Sequence, residues 1–194
     1  MGNKEDLLAA ARTCIYERGF AATTARDIAT TAGVSLAAIG YHFGSKDRLL
    51  TEAFTDETGR VIGDDLERRI RATAGQSPGE AFPRIWDGIA ELFDRNREVL
   101  VASMENLVRI YRTPSERPRM GEMSEIAVSE IADLIAESYP ELDGSRARAV
   151  AELYFVLLNG LVMQWMSNPD AAVPSGARLG EALNALTAEK GSGR

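Results

Sequence analysis

The chain has very little of the two side chains that build zinc sites and thiol chemistry. Its 194 residues include one cysteine, Cys14, and one histidine, His42. A single cysteine excludes a disulfide within the chain and fits a reducing compartment. One Cys and one His also exclude a Cys/His zinc site and a Cys-His nucleophile pair within one chain. We therefore expect neither a metal centre nor a cofactor.

Long uninterrupted hydrophobic segments are also missing. No apolar run of signal-peptide length is visible near residue 1. The most apolar stretch, residues 149–166, is interrupted by Glu152, Asn159 and Gln164. We interpret it as a helix buried on both sides within a soluble protein rather than a membrane span. This interpretation predicts a cytoplasmic protein with no membrane partner.

Basic residues are in the minority overall, and they are unevenly distributed. The formal net charge is −7, which argues against nucleic-acid binding through the whole surface. Residues 1–50 nevertheless hold six Lys/Arg and five Asp/Glu, against 16 and 24 in residues 51–194. The N-terminal quarter is thus electrostatically separate from the rest, although chance alone would also produce such a split.

Apolar residues recur with helical spacing along the chain, and we find no convincing alternating strand pattern. One stripe ends at Gly19, a long helix is predicted from Ser45 to about Thr73, and another covers about Ser145–Ser167. A last helix is predicted over about Ser175–Glu189. Turns rich in proline and glycine separate these segments. The pattern predicts an all-α protein.

Residues 23–50 have the pattern of two short, capped helices. Thr24 and Asp27 have the spacing of a capping box, and Gly33 follows where a left-handed residue is needed. Ser35 is predicted to cap a second helix, Leu36–Phe43. Two short helices joined by a glycine-containing turn predict a helix-turn-helix. A plain helical hairpin with good caps would show the same local pattern and remains the alternative.

In a helix-turn-helix, the second helix lies in the DNA major groove. Ala37 and Ala38 are small residues at the start of that helix, and they permit close approach to the bases. Ser45 is predicted to cap the next helix, and Lys46 lies in its first turn. The charge of Lys46 and the helix N-terminus both favour a phosphate.

Three sequence runs make this segment more specific than its separate motifs. They are Thr-Ala-Arg-Asp-Ile-Ala at 24–29, Ala-Gly-Val-Ser at 32–35 and Ile-Gly-Tyr-His-Phe-Gly-Ser-Lys-Asp-Arg-Leu-Leu at 39–50. Together they resemble the DNA-binding domain of TetR-family transcriptional regulators, over about residues 4–55. The resemblance implies a three-helix helix-turn-helix domain at 1–50, joined by a long helix to a helical ligand-binding and dimerisation domain at 51–190. A flexible tail is predicted at 191–194.

The resemblance also implies roles for individual residues. Thr24 and Arg26 would begin the helix that crosses the DNA backbone. The residues expected to face base edges are Ser35, Leu36, Ala37 and Ala38, and those expected to hold phosphates are Tyr41, His42 and Lys46. The expected core of the small domain is Ile28, Val34, Ile39, Phe43, Leu49 and Leu50.

The chain departs from the family pattern at two positions. The family often has an aromatic residue at the position of Gly40 and a glycine at that of Ala37. Gly40 lowers local helix propensity by about 1 kcal/mol relative to alanine, and it puts one phosphate or base contact in doubt. His42 has a second interpretation as a surface histidine with no role.

Dimerisation is expected because one helix-turn-helix reads too little DNA, whereas a dimer reads two half-sites. The helix at Ser145–Ser167 is apolar nearly all round, and its mid-helix Gly160 would allow close helix approach. With the last helix, it would form a four-helix bundle between two subunits. A thicker monomer core is the alternative. The predicted dimer residues are Leu153, Leu157, Gly160, Leu161, Trp165, Leu179, Leu183 and Leu186.

An effector pocket is expected between the middle helices, because apolar pockets with few polar groups are usual for small molecules. For each residue, plain core packing is the competing interpretation. Asn106, Arg109, Asn159 and Gln164 are candidates to orient a ligand, or to face solvent or a partner. The predicted pocket residues are Phe82, Trp86, Met104, Leu107, Tyr111, Tyr154 and Leu158.

These observations favour a ligand-responsive regulator that acts as a homodimer on a palindromic operator in double-stranded DNA. The resemblance implies a repressor that leaves the operator when a small-molecule effector binds. An enzyme is not expected, since paired acids such as Asp64 and Asp65 are predicted on a solvated helix face, where adjacent positions do not converge. The alternative is a helical small-molecule carrier or interaction module without DNA binding.

Overall fold

The computed structural model describes residues 3–187, and every regular element in that range is helical. The predicted all-α class is therefore confirmed. The tail predicted at 191–194, and the end of the last predicted helix, lie outside the described residues. The elements are α1 (Asn3–Ala22), α2 (Ala25–Thr31), α3 (Ala37–Phe43), α4 (Lys46–Thr58), a π-helical segment (Gly59–Gly63), α5 (Asp64–Arg71), α6 (Pro78–Arg95), α7 (Arg97–Arg112), α8 (Arg117–Ser138), α9 (Gly144–Ser167) and α10 (Gly176–Thr187).

The described residues form two compact units. The first comprises the chain up to Asp64 together with Asn96–Gly121, and the second comprises Asp65–Arg95 and the chain from Glu122 onward. This division by packing differs from the functional boundary predicted at residue 50, because α4 and α7 both pack with α1. The functional boundary stays a prediction.

The first unit has a single apolar core, made where α1 packs against α2, α3, α4 and α7. Phe20 and Phe54 meet edge-to-face with ring centroids 5.3 Å apart. Val99 and Ala102 bring α7 into the same core. The predicted core residues of this region are buried except for Val34, which is half-buried. The buried ones are Ile28, Ile39, Phe43, Leu49 and Leu50.

The predicted long helix from Ser45 contains a π-helical segment at Gly59–Gly63. Glycine is a poor helix former, and a glycine stands at each end of this segment. The prediction that Asp64 and Asp65 are both solvated is wrong for Asp65. That residue is buried, and its carboxylate accepts hydrogen bonds from Arg68 and Arg69, because an inward position on α5 needs its charge compensated.

The second unit is built on α6, α8, α9 and α10. Gly176 lies against the backbone of Pro83, where a Cβ atom would collide, so α10 packs closely on α6. The backbone N–H of Gly176 donates to Asp87 Oδ1 at 2.7 Å. The core of this unit includes Phe82, Ile85, Trp86, Ile89, Ile135, Tyr139, Tyr154, Leu161 and Trp165.

Helix α9 is not buried on both sides within its subunit, contrary to the prediction. Only 22% of its most apolar stretch is buried, and Val156 and Met163 are 66% and 57% exposed. Within residues 3–187, α9 is the one helix long and apolar enough to cross a membrane. Length and composition alone are weak evidence for a span, because a helix that packs within a protein passes the same test.

Candidate nucleic-acid interface and aromatic cluster

The start of α2 is fixed by a complete capping box, as predicted. The Thr24 hydroxyl accepts from the Asp27 amide at 3.2 Å, and the Asp27 carboxylate accepts from the Thr24 amide at 3.0 Å. Hydrogen bonds from Thr24 hold the pKa of the Asp27 carboxyl below its ordinary value, and the nearby Arg18 guanidinium acts in the same direction. The carboxylate is thus charged at neutral pH, which is the state that caps the helix.

The turn between α2 and α3 depends on Gly33, whose φ of 67° lies in the left-handed region. The amide of Val34 then donates to Ala29 O at 3.0 Å and closes the turn against α2. The prediction that Ser35 caps α3 is wrong. The N-cap residue is Leu36, and no side chain makes the capping bond there; instead, the Ser35 carbonyl accepts from the Ala38 amide.

The start of helix α3 presents short side chains outward, and its large apolar residues point inward. Ile39 and Phe43 are buried in the core of the first unit. Ser35, Leu36 and Ala37 are exposed, as the prediction of base contacts requires, while Ala38 is half-buried. Such a surface can approach another molecule closely, since little side chain stands between it and the helix backbone.

Tyr41 and His42 lie at the end of α3, where phosphate contacts are predicted. Tyr41 is 86% exposed, and its ring meets that of His42 edge-to-face with centroids 4.9 Å apart. Thr24 and Arg26 are exposed at the start of α2. These four side chains are available to a ligand outside the unit, which is what the predicted roles require.

Lys46 has an intramolecular partner that its position in the sequence does not reveal. Its ammonium donates to the carbonyl oxygen of Thr23, just before α2, at 3.0 Å. Thr23 is fully buried, so this bond ties the first turn of α4 to the start of α2. An ammonium has three donors, and two remain for a phosphate. Ser45 caps α4 through the Arg48 amide at 3.1 Å, as predicted.

Arg48 is a basic residue beside this surface that the sequence reasoning missed. It is exposed and makes no ion pair with any residue in 3–187, and its guanidinium reaches to 3.7 Å from the Cβ position of Gly44. Its position in the first turn of α4, two residues after Lys46, could have indicated a second phosphate contact from the sequence.

Helix α7 makes polar contacts with α1 and α4 in the first unit. Glu105 Oε2 accepts from the amide of Phe20 at 3.2 Å, next to Gly19, whose φ of 76° breaks α1. Arg109 donates to Asn106 and Thr51. It also lies 3.7 Å from Asp47, in the first turn of α4. Asn106 and Arg109, considered as candidates to orient a ligand, thus have partners within the first unit, and a role toward a ligand stays a prediction.

The predicted pocket residues fall into two groups. In the second unit, Phe82 stacks on Trp86 with centroids 6.3 Å apart and meets Tyr154 at 5.7 Å. All three are buried, and Leu158 is half-buried. We call Phe82, Trp86 and Tyr154 the aromatic cluster.

The other group lies on α7 in the first unit and consists of Met104, Leu107 and Tyr111. Met104 is half-buried, whereas Leu107 is exposed. Tyr111 is 72% exposed, and the Arg117 guanidinium lies 4.9 Å from its ring centroid. Neither exposed side chain is part of the core of its own unit.

Two of the predicted dimer residues, Leu161 and Trp165, are buried in the core of the second unit. The dimer contact itself stays a prediction. The exposed apolar positions of α9 follow helical spacing and include three residues not predicted. They are Leu153, Val156, Gly160, Met163 and Met166. Among the other predicted dimer residues, Leu186 is exposed, whereas Leu157, Leu179 and Leu183 are half-buried.

Comparison with known proteins agrees with this architecture. Residues 7–53 match the family model described as "Bacterial regulatory proteins, tetR family". The HTH-type transcriptional repressor KstR2 of Mycolicibacterium smegmatis is 40% identical over 57% of this chain and 53% of its own length. KstR2 of Rhodococcus jostii is 41% identical over 36% of this chain and 32% of its own length. The alignments thus span about half or less of these relatives.

A solved structure is similar over nearly the whole chain. The Streptomyces coelicolor A3(2) protein SCO7518 superimposes with a TM-score of 0.68 at 24% identity, over 96% of this chain and 99% of that one. At this identity, the similarity shows a shared fold and nothing about what is bound.

Proposed function

Because the chain belongs to the TetR family of bacterial regulatory proteins, we propose that it binds operator DNA and regulates transcription in the cytoplasm. The observation that carries this proposal is the exposed surface of α3, which is held by a capping box, a left-handed Gly33 and a capped α4. Base-edge contacts are assigned to Ser35, Leu36, Ala37 and Ala38, and backbone contacts to Thr24, Arg26, Tyr41, His42 and Lys46.

Arg48 joins the residues proposed to contact phosphate. It is exposed in the first turn of α4, where its charge and the helix N-terminus both favour an anion. Lys46 is proposed to hold its phosphate while it remains bonded to Thr23, which would fix the direction of the ammonium.

The operator is proposed to be palindromic and the protein a homodimer, because the symmetry of a dimer matches two half-sites. The exposed apolar face of α9 supports this proposal, since Val156 and Met163 would otherwise face water. Leu153, Gly160 and Met166 complete that face, and α10 adds Leu179, Leu183 and Leu186.

A small-molecule effector is proposed to release the protein from DNA. The proposed regulation is repression, because the KstR2 relatives are named transcriptional repressors. An effector acts only through its differential affinity for two conformations. Arg109 and Glu105 of α7 hold α4 and α1 within the first unit. We infer that a movement of α7 would change the position of α4, and with it the position of α3, the helix proposed to contact the bases.

Salt-dependent DNA binding tests the proposal. A duplex selected from a random library would be titrated with the parent chain at several salt concentrations. We expect Lys46→Ala to weaken binding to the selected and to a scrambled duplex about equally, and to lower the salt slope by about one unit per half-site. Arg95→Ala is the matched control, since it also removes one exposed positive charge, paired here with Glu91 on α6, and should leave the slope unchanged.

Two results would contradict these assignments. If no duplex is enriched in the selection, or binding does not depend on salt, the chain is a carrier or interaction module and not a DNA-binding regulator. If Lys46→Ala and Arg95→Ala have the same slope as the parent, Lys46 does not contact phosphate.

A further inference from the structure

Four arginines lie within eleven residues where α7 ends and α8 begins. They are Arg109, Arg112, Arg117 and Arg119, and Glu116 is the one acid among residues 109–119. We call residues 109–119 the arginine turn. Four Arg against one Glu give this segment a net charge of +3, whereas the whole chain carries −7. A concentration of positive charge on an acidic protein attracts anions to that part of the surface.

Two of these arginines attach the turn to α4 within the first unit. Arg109 lies 3.7 Å from Asp47 and donates to Thr51. From the first turn of α8, Arg119 lies 3.6 Å from Glu52. The arginine turn therefore lies against the first two turns of α4. The carboxylates of Asp47 and Glu52 would repel a phosphate, and each of them has an arginine partner here.

The other two arginines carry charge that no carboxylate of residues 3–187 neutralises. Arg112 is exposed and makes no ion pair in this part of the chain. Arg117 is also exposed, and its Nε and Nη2 donate to the carbonyl oxygen of Tyr111. Its guanidinium lies 4.9 Å from the centroid of the Tyr111 ring. These contacts hold the guanidinium in place and leave three of its five N–H donors unused.

The position of the turn gives these charges a function beyond helix stability. The dipole of α7 favours a cation in its last turn with or without a ligand. However, Arg112 follows Arg109 by three residues, so the two share a face of α7, and Arg109 contacts the first turn of α4. That first turn carries Lys46 and Arg48, which are proposed to contact phosphate. The unneutralised arginines thus lie beside residues already assigned to the DNA backbone.

We propose that Arg112 and Arg117 bind the phosphodiester backbone of the operator and extend the DNA-contacting surface beyond the helix-turn-helix. A guanidinium binds two phosphate oxygens through parallel N–H donors, and such contacts add affinity without reading sequence. The proposal rests on the proposed binding of operator DNA. It also joins α7 directly to DNA, so a movement of α7 caused by an effector would break these contacts.

Arg112→Gln tests the proposal, because it removes the charge and keeps much of the side-chain length. The selected duplex and a scrambled duplex of equal length would be titrated with the parent and the variant at several salt concentrations. We expect the salt slope to fall by about one unit per half-site. Binding to both duplexes should weaken about equally, by about fivefold to tenfold per half-site at about 0.1 M salt.

Ethylation of operator phosphates locates the contact. At least one phosphate per half-site should interfere with binding when ethylated in the parent and in Lys46→Ala, but not in Arg112→Gln. This pattern separates the proposed contact from the one assigned to Lys46.

Three further variants serve as controls. Arg112→Lys keeps the charge and should keep the salt slope. Arg84→Gln removes another exposed arginine without an ion pair in residues 3–187, on α6 of the second unit, and should leave the slope and the ethylation pattern unchanged. Arg117→Gln should lower the slope as Arg112→Gln does. It also loses the bonds to the Tyr111 carbonyl, so its melting temperature would be compared with that of Arg112→Gln, which should melt like the parent.

The outcomes distinguish this proposal from the proposed function. Operator binding with the same salt slope in the parent and Arg112→Gln would overturn the proposal and leave the DNA-binding function standing. An equal loss of slope in Arg84→Gln would also overturn it, since the effect would then belong to net charge and not to this site. Failure of the parent to bind any duplex would overturn both.

Discussion

The helix-turn-helix segment and the aromatic cluster are organised in opposite ways. In the former, the bonds that set helix ends join residues three apart, as between Thr24 and Asp27, and most of the side chains proposed to contact DNA are exposed. In the latter, the bonds join residues far apart, as between Trp86 and Pro174, and the residues predicted from the sequence to line a pocket are buried. In the helix-turn-helix segment, the residues proposed to bind DNA differ from those that stabilise the fold. In the aromatic cluster, the same residues are predicted to bind a ligand and to form the core.

Substitution of Trp86 by alanine is the strongest test of this contrast. We expect the free energy of unfolding to fall by about 3–5 kcal/mol, because a large ring is lost from a packed interior. The carbonyl of Pro174 also loses its donor. Thermal and denaturant unfolding would measure the change, and effector and operator affinities would be measured on the same preparation.

Tyr111→Ala is the control for that experiment, since Tyr111 is also a predicted pocket residue but is 72% exposed. Its free energy of unfolding should change by less than about 0.5 kcal/mol. If Trp86→Ala proves as stable as the parent and alters only the effector response, the ring serves the ligand alone, and the contrast between the two regions fails.

Gly160→Leu tests whether the exposed face of α9 is covered by a second subunit. A Cβ at Gly160 meets no atom within 4 Å in its own subunit, so the fold should tolerate the change. Overpacking at the dimer contact should cost about 1–3 kcal/mol, which weakens dimerisation about fivefold to 150-fold. Sedimentation velocity over a dilution series would detect it.

Gly121→Leu controls for adding an apolar side chain to an exposed helical glycine, because its Cβ position in α8 is equally open. It should leave the sedimentation profile unchanged. A Gly160→Leu variant that stays as tightly dimeric as the parent would place Gly160 outside the interface.

Gly40→Ala is expected to have the smallest effect, and it should stabilise the fold, whereas Trp86→Ala should destabilise it. Nothing lies within 4 Å of its Cβ position, so alanine should raise the free energy of unfolding by up to about 1 kcal/mol through helix propensity. Gly33→Ala is the same chemical change at a φ of 67°, and it should lower the free energy by about 1–2 kcal/mol. Urea denaturation of both variants would check the signs; destabilisation by Gly40→Ala would show that α3 needs its glycine.

The sequence predicted the helix-turn-helix in detail, except where packing intervened. The Thr24 capping box, the left-handed Gly33 and the Ser45 cap were all confirmed. The cap assigned to Ser35 was wrong, because α3 begins one residue later than predicted and its N-cap is Leu36. The bond from Lys46 to Thr23 was missed because no local pattern links residues 23 apart.

The spacing of apolar residues predicted burial less well in the second unit. It marked α9 as apolar nearly all round, but it did not separate the side that holds Leu161 and Trp165 from the side that exposes Val156 and Met163. On a helix with apolar residues on every side, the spacing is the same for core and interface positions.

The helical class, the helix ends and the turn before α3 follow from the sequence because they depend on hydrogen bonds and backbone angles within a few residues. The burial of Asp65 and the bond from Lys46 to Thr23 depend on how helices distant in the sequence pack together. Burial and pairing are properties of the space around a side chain, and that space exists only once the helices have packed.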